Sequence, residues 1–140
     1  MRGNFGRWGA ACLAVGLALA APATAADYGH YLIGDTALPT PGPVQPGLLL
    51  MGGGDRNHDA LRWFMDKAGH GHIVVLRASQ GGQIGDEFFN EVGGIQSAET
   101  FVFRDREAAY DPAILKALER ADGIFIAGGN QSRYVRSWRG

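Results

Sequence analysis

The residues best suited to chemistry lie near the end of the chain, in Ala121-Asp122-Gly123-Ile124-Phe125-Ile126-Ala127-Gly128-Gly129-Asn130-Gln131-Ser132-Arg133-Tyr134. Gly123 to Ala127 is a short apolar run of the kind that forms a strand buried on both faces. Gly128-Gly129 lets the backbone turn sharply and brings bare peptide N–H groups to the surface. Asn130 can cap a helix running from Gln131 to Trp138. In an open α/β sheet ligands bind outside the carboxyl ends of strands, so this succession marks a candidate site. It also describes a plain strand-to-helix turn, and these residues alone do not separate the two.

Other chemistries find less support. Gly52-Gly53-Gly54-Asp55-Arg56-Asn57 has Asn57 where a dinucleotide fingerprint needs its third glycine, and no Walker-type lysine follows any glycine run. His58-Asp59 and the pair His70 and His72 lack a second cluster at ligand spacing, so no metal is expected, and the histidines read as solvated. His30 reads as a surface residue. Ser79, Ser97, Ser132 and Ser137 are the candidate nucleophiles, and none stands in the Gly-x-Ser-x-Gly setting of a nucleophile elbow.

Four buried-type strands are expected at about 48–51, 73–77, 98–103 and 123–127. Leu61, Phe64, Met65 and Ala68 give a helix after the first strand, with Asp55 or Asn57 as its cap. Asp86 to Val92 is a short helix stopped at Gly93-Gly94. Asp111-Pro112 opens another, striped with Ile114, Leu115 and Leu118. Strands and helices alternating at such intervals imply βαβ units and a parallel open sheet. The exit of the third strand, Arg104-Asp105-Arg106-Glu107, is charged, which suits a solvated loop or contact with a polar substrate. Ahead of this domain, residues 27–47 carry Pro39, Pro41, Pro43 and Pro46 and read as an extended arm that packs along its edge.

Residues 1–26 read as a cleaved signal peptide. Arg2 and Arg7 form a positive region, Trp8 to Ala20 an apolar stretch of 13 residues too short to span a membrane, and Ala21 to Ala26 the small residues before a cut after Ala25 or Ala26. The expected location is therefore secreted or periplasmic, with no membrane attachment after cleavage. Cleavage would remove Cys12, the one cysteine, and with it any disulfide, thiolate metal site or cysteine nucleophile. An apolar content of 46% with 19% charged residues is that of a globular chain, and a net charge of -1 gives no support for nucleic acid as a partner.

Leu50-Met51-Gly52-Gly53-Gly54, Val75-Leu76-Arg77-Ala78-Ser79, Ser97-Ala98-Glu99-Thr100, Arg106-Glu107-Ala108-Ala109-Tyr110-Asp111-Pro112 and Phe125-Ile126-Ala127-Gly128-Gly129-Asn130-Gln131-Ser132 occur in this order. Together they resemble the secreted branch of the cyanophycinase-like serine peptidases, which share the class I glutamine-amidotransferase-like, flavodoxin-like three-layer fold. The resemblance runs from about Leu48 to Gly140 and covers the first half of such a domain. It implies a serine-type peptidase acting on cyanophycin or related aspartyl peptides without a cofactor, and leaves room for a homodimer of the full-length form. The serine of a Gly-Thr-Ser-Ala-Gly motif, its histidine and its acidic partner would lie after Gly140, so the fragment alone is expected to be inactive. For this segment the resemblance implies the backbone N–H of Gly129 as an oxyanion donor, and Gln131, Asn130, Gly53 and Gly54 as substrate contacts. Asn130 stands where the family more often has Asp. The reading of a different class is a non-catalytic ligand- or nucleotide-binding α/β module.

Overall fold

The computed structural model describes residues 25–79, 81 and 83–138. Of the expected signal peptide only Ala25 and Ala26 are among them, and Gln80 and Gly82 of the loop after the second expected strand also lie outside.

The centre of the molecule is the apolar run His72–Arg77 (β2), whose residues are buried almost throughout because strands cover both of its edges. Ser97–Phe103 (β3) pairs with it in parallel on one side and Gly123–Ile126 (β4) in parallel on the other. Tyr28–Gly34 (β1) pairs antiparallel with the outer edge of β3, giving the order β1-β3-β2-β4. The chain is thus α/β with an open, mostly parallel four-stranded sheet.

Successive side chains of a strand alternate between faces, and here each face has its own helical layer. Ile73 and Val75 meet Leu61 and Met65 of His58–Lys67 (α1), together with Ile84 of Gln83–Asp86 (α2) and Phe88 of the π-helical turns Glu87–Val92 that continue it. Val74, Leu76, Phe101 and Phe103 meet Ile114 and Ala117 of Pro112–Glu119 (α3), Ala108 of the 3₁₀ turn Glu107–Tyr110, and Trp138 of Gln131–Trp138 (α4). The caps are those the sequence suggests. Asn57 accepts from the backbone N–H groups of Asp59 and Ala60, and Asp111 from that of Ala113 ahead of Pro112.

Three expectations change. The run Leu48–Met51 is not a strand. Leu48 is 79% and Leu50 84% exposed, because β4 takes the place beside β2 that an additional strand would need. Tyr28–Gly34, expected as an extended arm along the edge, does lie at the edge but as a full strand of the sheet. Its residues precede all four prolines, so its backbone donors remain available to β3. Finally, β4 is not buried on both faces. It forms an edge of the sheet, with Phe125 turned to the core and Ile124 and Ile126 47% and 58% exposed.

Gly71, just before β2, marks a close approach. A Cβ there would stand 2.0 Å from Asp122 Oδ2, the oxygen that accepts from the His72 N–H at 2.8 Å and from Thr40 Oγ1 at 2.8 Å. Asp122 thereby ties the proline-rich segment to the amino ends of β2 and β4.

Candidate functional site

The carboxyl ends of β2 and β3 open into a cleft of about 480 Å³. Its wall includes Ser79 and Gly81 after β2, Arg104 at the exit of β3, and Arg133, Arg136 and Ser137 of α4. Helix α4 is aimed across the cleft by the turn that precedes it. The Asn130 carboxamide oxygen accepts from the Ser132 N–H at 3.0 Å, and the Asn130 carbonyl from the Arg133 N–H at 2.9 Å, which starts the helix. Tyr134 then ties α4 back to β4 by donating its hydroxyl to the Ala127 carbonyl. Burial raises the Tyr134 pKa, so this donor stays protonated.

Gly129 has φ 153°, a backbone conformation that favours glycine, and a Cβ on it would stand 2.8 Å from Ser79 Oγ. The glycine turn therefore abuts the cleft through Ser79. Among the described residues the Gly129 N–H meets no acceptor. The other expected contacts lie outside the lining. Asn130 serves as the cap, Gln131 opens α4 as an exposed residue, and Gly53 and Gly54 stand in an exposed loop ahead of α1. That loop is anchored near its end by Arg56, whose Nε donates to Glu87 at 2.9 Å, a hydrogen bond that leads in holding the Glu87 carboxyl below its ordinary pKa.

None of the four serines gains a catalytic base in the cleft: among the described residues Ser79, Ser132 and Ser137 have no histidine within hydrogen-bond distance. The serine that does meet a histidine is Ser97, at the opposite end of the sheet. Its Oγ lies 2.8 Å from His72 Nδ1, and His72 Nε2 donates to Glu99 Oε2 at 3.1 Å. This is the order of a Ser-His-Glu relay, but Ser97 is fully buried, His72 is 6% exposed and Glu99 4%, so no substrate reaches it. It is a structural network. His30 Nε2 on β1 donates to Glu99 Oε1 at 2.8 Å and Arg120 Nη2 donates to Glu99 Oε2 at 2.5 Å, so one carboxylate joins three strands and the end of α3. Burial alone would raise the Glu99 carboxyl, but the hydrogen bonds from Arg120 and His30 outweigh it and hold the pKa below the ordinary value. Burial pushes His72 down, against the attraction of Glu99. The expectation of a solvated His72 is thereby corrected: β2 carries it inward on the α3 face, where it finds two partners.

No family model, curated protein or solved structure matches this chain.

Sequence reasoning also missed the gathering of arginines at the cleft. Arg133 and Arg136 are legible as an i, i+3 pair on one helix face. Their approach to Arg104 depends on α4 crossing toward the end of β3, where Trp138 packs edge-on against Phe103 with ring centroids 5.3 Å apart.

Proposed function

We propose that this chain is part of a secreted serine-type peptidase resembling cyanophycinase, acting on cyanophycin or related aspartyl peptides, with the nucleophile supplied from outside the 140 residues. The mostly parallel sheet between two helical layers is compatible with the flavodoxin-like architecture such an enzyme would have. The observation that carries the reading is the Gly128-Gly129 turn at the carboxyl end of β4, with an N–H lacking an acceptor among the described residues beside an open cleft. A fixed peptide N–H beside a helix start suits a developing oxyanion, and one such donor is worth about 3 kcal/mol in a hydrolase transition state. Asn130 and Gln131 follow that donor directly in the chain, and Gly53 and Gly54 stand in the exposed loop ahead of α1; all four are the substrate contacts this reading assigns.

The test begins with the coding DNA beyond Gly140. A continuing or frameshifted frame should encode a Gly-Thr-Ser-Ala-Gly-like motif within roughly 30 residues, about one βα unit. A fluorophosphonate probe should then label that serine in the extended protein and leave the 140-residue form unlabelled. A stop codon with no such motif downstream, or labelling of Ser79 or Ser132 in the short form, would refute the peptidase assignment.

A further inference from the structure

The cleft at the strand ends is cationic in a chain that is nearly neutral. Of its lining side chains three are arginines, Arg104, Arg133 and Arg136, and none is a carboxylate. Among the described residues Arg133 and Arg136 have no acidic side chain within salt-bridge distance, whereas Arg56, Arg62, Arg104 and Arg120 each have one. Two like charges at i and i+3 on one helix face repel and gain nothing for the fold by themselves. A further arginine, Arg77, has its Nε buried without a partner among the described residues while its Nη1 donates to the carbonyl of Gly81 on the cleft wall. The rim already shows what it accepts: Arg104 Nη1 holds the Asp27 carboxylate at 2.9 Å. The planar guanidinium fork matches carboxylate and phosphate oxygens alike, and a cleft of this volume suits a small molecule.

We propose that this cleft binds a small ligand carrying two or more anionic oxygen groups, with Arg133 and Arg136 as its principal contacts and Arg104 at the rim. The site stands on its own chemistry, so it holds or fails separately from the peptidase reading, and its readout is binding rather than hydrolysis. Isothermal titration and thermal melting of the purified protein would use citrate and pyrophosphate as probes, with sodium chloride and acetate at matched ionic strength as controls. Citrate or pyrophosphate should bind saturably and raise the melting temperature by about 4 °C or more at concentrations well above Kd. Whichever of the two binds more tightly identifies carboxylate or phosphate as the source. The double variant R133Q/R136Q, altered at exposed positions, should weaken binding roughly tenfold or more, and R62Q, outside the cleft, should not. A melting shift equal to that given by sodium chloride, or equal binding by the double variant, would overturn the proposal.

Discussion

Neutral His72 is held between Ser97 Oγ and Glu99 Oε2, so Nε2 carries the proton and Nδ1 accepts from the serine hydroxyl. The groups facing it are Glu99, Ser97 and Arg120, with Asp122 at its backbone N–H and His30 on the far side of Glu99. Because burial lowers its pKa from the ordinary 6.5, the unfolded chain binds a proton that the folded chain resists. Its contribution to stability is therefore full above about pH 6.5 and lost as pH falls through the folded value. Glu99, lowered from 4.5, has the same sign: full above that value and lost in stronger acid. Thermal melts should fall between pH 7 and pH 5, and His72→Asn should flatten that slope while lowering stability at pH 7 by about 1–3 kcal/mol. An unchanged slope would show that another group titrates there. Gly129 makes a second test at this scale. Gly129→Ala places a methyl group against Ser79 Oγ in a backbone region that disfavours it, at a cost of about 1–3 kcal/mol. Combined with Ser79→Gly the cost should be smaller than the sum of the two changes, measured as a double-mutant cycle, and strict additivity would mean that the two positions do not press on one another.

Among the elements, those whose residues carry their own instructions were legible. β2 reads as a buried strand because it is one, and α1 and α3 announce themselves through Asn57 and Asp111-Pro112. Leu48–Met51 has the same apolar signature as β2, yet a strand also needs a free edge, and no pattern within four residues says which edges are taken. Tyr28–Gly34 was legible as an arm along the edge but not as a strand, since its pairing is written in the partner β3 rather than in itself. The double glycine and the Asn130 cap could be read from the sequence, whereas the arginine cleft depends on the path of α4 and the Glu99 network on the register His72↔Ser97 and Leu32↔Glu99. The two faces of the sheet near β4 give a direct comparison. Ile73→Ala, at a fully buried site, should cost about 2–5 kcal/mol, while Ile126→Ala, 58% exposed, should stay within about 0.5 kcal/mol. Similar losses by chemical denaturation would mean that β4 is covered in solution.

For the molecule as a whole, export is the first matter to measure, since the expected signal peptide and the site lie at opposite ends of one chain. Mass spectrometry of the protein from its native host should find a mature chain beginning at Ala26 or Asp27, and cytoplasmic material with an intact leader would oppose that reading. If the cut falls after Ala26, the Asp27 nitrogen that meets Asp105 Oδ2 at 2.7 Å becomes an ammonium group facing a carboxylate, which strengthens the anchorage of β1. Whether the Gly129 turn serves a hydrolytic site completed by a serine from outside these residues is tested by the cleavage of an aspartyl peptide. The 140-residue chain should not cleave it and the protein that also carries the serine motif should; in that protein Gly129→Ala, which keeps the N–H but forces the turn away from Ser79 and so misaligns it, should lower kcat with KM little changed. Cleavage by the 140-residue chain alone, or an undiminished kcat in the Gly129→Ala protein, would contradict that role.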